Sequence, residues 1–114
     1  MGQDLRHKYT DNEATNTSLG QIGSVFTDNT GADITPPDGT VFIAITMVGS
    51  DTAFTTLTPE GGEGVRYIST GAASNSGTGG TLMDSTNTFA QGVTIFGRWS
   101  TVRIAAGSII AYVG

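Results

Sequence analysis

Between Thr40 and Val48 the chain reads TVFIAITMV, β-branched or apolar on both of its alternating faces. β-Branched side chains lose rotamer freedom in a helix and pack well on a pleated surface, so the run predicts a strand. Because neither face is polar, that strand is expected to be central and buried.

The rest of the chain beyond Gly20 follows the same idiom of short β-type runs divided by turn residues. Ile22 to Thr27 is the first expected strand. Asp28-Asn29-Thr30-Gly31 and Thr35-Pro36-Pro37-Asp38-Gly39 then supply Asx side chains that bond their own backbone, prolines that fix φ and glycines that accept positive φ. Asp51 to Thr58 (DTAFTTLT) is expected as a half-exposed strand, paired antiparallel with the preceding one through Gly49-Ser50-Asp51. A brief strand is expected over Val65 to Ser69, and Gly71 to Gly80 (GAASNSGTGG) is a surface loop with nothing to bury. Thr81 to Phe89 carries no clear pattern. Three successive strands are expected over Gly92 to Gly97, Arg98 to Ile104 and Ser108 to Val113, with Gly97 and Gly107 where a bulge or hairpin turn is needed. No amphipathic helix of useful length is present, so the expected fold is all-β, a compact β-sandwich or β-barrel.

With 114 residues there is room for one ordinary domain. We assign 21–114 to a single β domain and 1–20 (MGQDLRHKYTDNEATNTSLG) to an extended N-terminal arm. The arm is polar throughout, and its apolar residues Leu5, Tyr9 and Leu19 fit neither a helical stripe nor a sustained alternation. A frayed end without function is the bland alternative.

Charged residues make up 13% of the chain, about half the usual share, while there are 17 glycines. A surface so weakly defended by charge suits permanent contact with other subunits. Net charge −5 and only five Lys and Arg argue against nucleic acid, because affinity for polyphosphate comes from cations that release condensed counterions. There is no cysteine, no apolar run of membrane-spanning length and no apolar stretch of a signal peptide near Met1. Met1-Gly2 is not read as a myristoylation start, since Arg6 stands where that motif needs Ser or Thr.

Reactive groups are few. His7 is the only histidine and lies in the arm between Arg6 and Lys8, a poor place for a general base. Glu60 and Glu63 sit in a Gly-rich turn that cannot hold two acids at glycosidase precision. Asp28, Asn29, Asp33 and Asp38 offer hard oxygen ligands, but Asx turns account for them and their spacing matches no EF-hand. Gly77-Thr78-Gly79-Gly80 lacks the Lys and the helix of a phosphate loop, and Asn16-Thr17-Ser18 is a sequon without a secretory route. We therefore expect no enzyme activity, no cofactor and no metal. Among the aromatics of the last strands, Phe96 and Tyr112 are expected in the core. Trp99, taken to share a face with Thr101 and Arg103, is the candidate interface anchor, together with Arg103 and with Leu5, Arg6, Lys8 and Tyr9 of the arm.

Two stretches, TVFIAITMVGSDTAFTTLTPEG (Thr40 to Gly61) and GVTIFGRWSTVRIAAGSIIAYVG (Gly92 to Gly114), resemble small virion structural proteins of tailed bacteriophages, particularly marine and cyanobacterial ones. The likeness excludes the arm and the Gly-rich loop. It implies a β-rich, oligomeric virion component, made in the host cytoplasm and resident on the capsid surface. The expected function is that of a capsid decoration (cement) protein, with the major capsid protein and further copies of itself as partners, in a trimer, and with neither nucleic acid nor membrane. A carbohydrate- or receptor-binding module of a phage fibre or tail is the alternative.

Overall fold

The computed structural model describes residues 22–61, 67–71 and 77–114. The expected arm, and with it Leu5, Arg6, Lys8 and Tyr9, lies outside the described residues, as do Val65 and residues 72–76 of the Gly-rich loop.

Among the described residues there are five strands: β1 (Gly23–Thr27), β2 (Phe42–Met47), β3 (Ala53–Pro59), β4 (Thr94–Ala106) and β5 (Ile109–Val113). All pair antiparallel in one sheet of order β1-β5-β2-β4-β3, and no helix occurs among the described residues, so the protein is all-β. The run TVFIAITMV supplies the middle strand, as its two apolar faces require. Tyr67, Ile68 and Ser69, where a brief strand was expected, are not in a strand.

Two connections differ from expectation. β2 and β3 are not neighbours: β4 lies between them, so Gly49-Ser50-Asp51 crosses over a strand and does not close a hairpin. Likewise β4 and β5 flank β2 on opposite sides, although only Gly107 and Ser108 separate them.

The length of β4 makes this possible. The expected strands Gly92 to Gly97 and Arg98 to Ile104 are one strand of 13 residues, about 43 Å long if straight at 3.3 Å per residue. Yet Thr94 is registered with Thr46, and Ala106 leads within three residues to Ile109, the partner of Met47. Both ends of β4 are thus tied near the same end of β2, so the strand must bend back on itself. The bend falls where the register slips by one residue, between Ala44↔Phe96 and Phe42↔Trp99 on one side and between Thr58↔Thr101 and Pro59↔Trp99 on the other. Beyond it, β3 and an isolated bridge from Ile34 to Val102 hold the second half of β4.

The sheet therefore curls over one core, built from Phe42, Ile45, Met47, Phe54, Leu57, Trp99 and their neighbours, with Met83 and Phe89 from the connecting segment packed in. Phe54 and Phe89 meet edge to face at 5.7 Å between ring centroids, within the favoured range for aromatic pairs. The edge strands β1 and β3 are not registered with each other among the described residues.

Candidate functional site

The bend decides which aromatic ring faces water. Ile95, Gly97 and Trp99 alternate onto the core side. A Cβ on Gly97 would stand 2.6 Å from the Trp99 ring, so the glycine leaves the space over which the indole lies. Trp99 is 0% exposed and its indole N–H donates to the Ile68 carbonyl at 2.8 Å, which gives a buried donor its partner. As a surface anchor Trp99 is thus excluded in this structure. The extra residue at the bend shifts the phase of β4, so Trp99 shares its side with buried Val102 and Ile104, not with Thr101 and Arg103. Arg103, the other described interface candidate, donates from Nε to the Thr30 carbonyl at 3.2 Å and so ties the turn after β1 to β4.

Phe96 is reversed in the opposite sense. Expected in the core, it is 64% exposed on the outer side of the sheet, in phase with exposed Arg98. That shared phase with a charged residue is the signal in the sequence that could have placed it.

Around Phe96 the registers assemble an outward surface from β1, β5, β2 and β4. One row across the four strands is Ser24, Tyr112, Ala44 and Phe96. The next is Phe26, Ile110, Thr46 and Thr94. Phe26 is 58% exposed, and the hydroxyls of Thr46 and Thr94 bond each other at 2.8 Å. None of these eight residues is Asp, Glu, Lys, Arg or His. Because small Ala44 stands between two rings, a cleft of about 280 Å³ opens over it, lined by Ala44, Thr94, Phe96 and Tyr112.

At the rim of this face Arg98 grips Glu60 through two bonds, Nε to Oε1 at 2.7 Å and Nη2 to Oε2 at 3.1 Å. These bonds, with a lesser contribution from the guanidinium charge, hold the Glu60 carboxyl below its ordinary value, against an opposing effect of desolvation that is larger than the charge contribution alone. A depressed carboxylate stabilises the fold above its unfolded pKa, and that contribution is lost as pH falls through the folded one. Arg98→Gln is expected to move the Glu60 midpoint upward in a carboxyl NMR titration. An unmoved midpoint would break the assignment.

His7 and Glu63 lie outside the described residues, and the other candidates form no reactive centre among the described ones. Asn29 accepts from the Gly31 amide at 2.8 Å, an Asx turn, and among the described residues no three His, Asp or Glu are grouped to hold a metal ion. No helix there is long and apolar enough to cross a membrane. The arrangement is an exposed aromatic face with a cleft in it. Set against known protein families, curated proteins and solved structures, the chain matches none.

Proposed function

We propose that this chain is a capsid decoration, or cement, protein of a tailed bacteriophage, a non-catalytic component that binds the head lattice and stabilises it. The observation that carries the proposal is the outward aromatic face, with Phe96 and Phe26 more than half exposed on a strand scaffold whose core is already filled from the other side. Apolar surface held out in water is the mark of a contact site. The resemblance of Thr40 to Gly61 and Gly92 to Gly114 to phage virion proteins supplies the setting.

On this reading each copy bridges neighbouring capsomers, burying apolar surface against the major capsid protein and against further copies of itself, with a trimer as the expected assembly. Weak contacts repeated over many sites then stiffen the shell. The strand β1, paired among the described residues with β5 alone, is suited to extend backbone pairing across subunits, and the arm, with Leu5, Arg6, Lys8 and Tyr9, grips the adjacent one. The cleft between Phe96 and Tyr112 favours a second reading, a carbohydrate-binding module of a fibre or tail, because aromatic faces also stack on sugars.

One experiment separates them. Labelled full-length chain is offered to emptied heads of the cognate phage and to a panel of host glycans. The decoration reading expects saturable binding to heads, reduced on deleting residues 2–20, and none to glycans. Glycan binding without head binding would replace it with the second reading, and undiminished occupancy after the deletion would remove the arm from the mechanism.

A further inference from the structure

We propose that residues 67–71 form a removable guard on the edge of β3, a strap that leaves as a unit while the core stays folded and so bares the Leu57 edge and the Trp99 indole. The inference is independent of what the protein adheres to.

Among the described residues β3 ends the sheet, and a bare strand edge is a template for pairing with another chain. Two of the described segments cover it. Just before the strand, Thr52 and Phe89 exchange backbone hydrogen bonds at 3.1 and 2.8 Å. Near its end, the Leu57 amide donates to Oγ1 of Thr70 at 2.9 Å, and the Thr70 amide donates back to the Leu57 carbonyl at 3.2 Å. Thr70 thus stands where a further strand would pair. The Ile68 carbonyl, two residues earlier, accepts the Trp99 indole N–H at 2.8 Å.

The two covers are held in different ways. Phe89 packs its ring edge to face on Phe54 and against the core. No side chain of residues 67–71 joins that core, and Ile68 is 39% exposed. What the strap buries instead is a hydroxyl: Ser69 is 2% exposed, and its Oγ has no hydrogen-bond partner among the described residues. An orphaned hydroxyl penalises the closed state, and opening returns it to water. A segment attached by hydrogen bonds, with no apolar side chain in the core, can leave without the core opening.

Magnitudes separate the two events. Each hydrogen bond favours closure by about fivefold net, and a buried unpaired hydroxyl opposes it by at least about as much. Three bonds against one such penalty keep the strap closed by a factor of about 10 to 10². Global unfolding of a small domain is far rarer, about one part in 10³ to 10⁸. The strap therefore opens by itself and sets how often the Leu57 edge is available for pairing.

Native-state hydrogen exchange of the full chain tests the guard. The Leu57 amide and the Trp99 indole N–H should share one protection factor of about 10 to 10², unchanged at low denaturant, while β2 amides exchange only through global unfolding. Thr70→Val should speed exchange at the indole about fivefold, although the indole's own bond to Ile68 is untouched. Ser69→Ala should slow both protons about fivefold or more, because it removes the orphan and leaves every bond in place. Unequal protection of the two protons, or exchange of both together with β2, overturns the guard. So does an indole indifferent to Thr70→Val. Faster exchange in Ser69→Ala would mean that the hydroxyl helps to hold the strap, and would overturn it as well.

Discussion

Trp99→Ala is expected to cost about 4–6 kcal/mol of folding stability, close to the whole margin of a small domain. Deleting a fully buried large aromatic costs about 3–5 kcal/mol through lost transfer energy and the cavity left behind. Here the ring lies over Gly97, which has no side chain to fill the space, so little collapse can relieve the void. The Ile68 carbonyl also loses the indole N–H that donates to it at 2.8 Å, worth about 1 kcal/mol more. The chemical denaturation midpoint, followed by far-UV dichroism because the only tryptophan is gone, should fall steeply or vanish. Trp99→Phe should retain much of the packing and lose mainly the hydrogen bond. Were Trp99 an exposed anchor, truncation would change stability by less than about 0.5 kcal/mol, so the experiment distinguishes core from surface without any ligand.

That residue also marks where the sequence stops being legible. Strand content could be read because the cues are local: TVFIAITMV declares a central strand, and the Gly-Pro-Asx clusters break the chain where the strands end. The neighbours of each strand are not local information. Gly49-Ser50-Asp51 has the chemistry of a tight turn, yet it spans β4, because β4 inserts from residues far along the chain to cover β2. The side of the sheet that a residue faces is not local information either. Alternation is a reliable guide only while the register is unbroken, and one additional residue moves every later side chain to the opposite face. Reading Trp99 forward with Thr101 and Arg103 put it on the surface. Reading it backward with Ile95 and Gly97 puts it in the core, and the slip beyond Trp99 is what makes the two disagree. The candidate site was hidden by the same slip: with Trp99 assigned outward, Phe96 was assigned inward, and the outward face lost its most prominent ring.

Gly107→Ala is the second large effect, and Gly92→Ala serves as its internal control. Both glycines adopt left-handed backbone, φ +83° at Gly107 and +90° at Gly92, where a side chain costs about 1–2 kcal/mol. Their surroundings differ. A Cβ at Gly92 meets nothing within 4 Å, whereas one at Gly107 would press on Oγ1 of Thr52 and lie 2.7 Å from its Cα. Thr52 cannot move aside cheaply. It is fully buried, exchanges backbone hydrogen bonds with Phe89 at 3.1 and 2.8 Å, and donates from Oγ1 to the Gly49 carbonyl at 2.8 Å. Relief would have to come from the link between β4 and β5, which is held in turn by Val48 and Gly49 amides donating to the Ser108 carbonyl. Overpacking of this kind adds about 1–3 kcal/mol to the backbone strain. Gly92→Ala should therefore lower stability by about 1–2 kcal/mol and Gly107→Ala by about 2–5 kcal/mol, the difference measuring how tightly the end of β4 is pressed against the start of β3. Equal losses at the two sites in denaturant titrations would mean that Gly107 is needed only for its φ, and that the approach of Gly107 to Thr52, on which the bend of β4 depends, is loose enough to admit a methyl group.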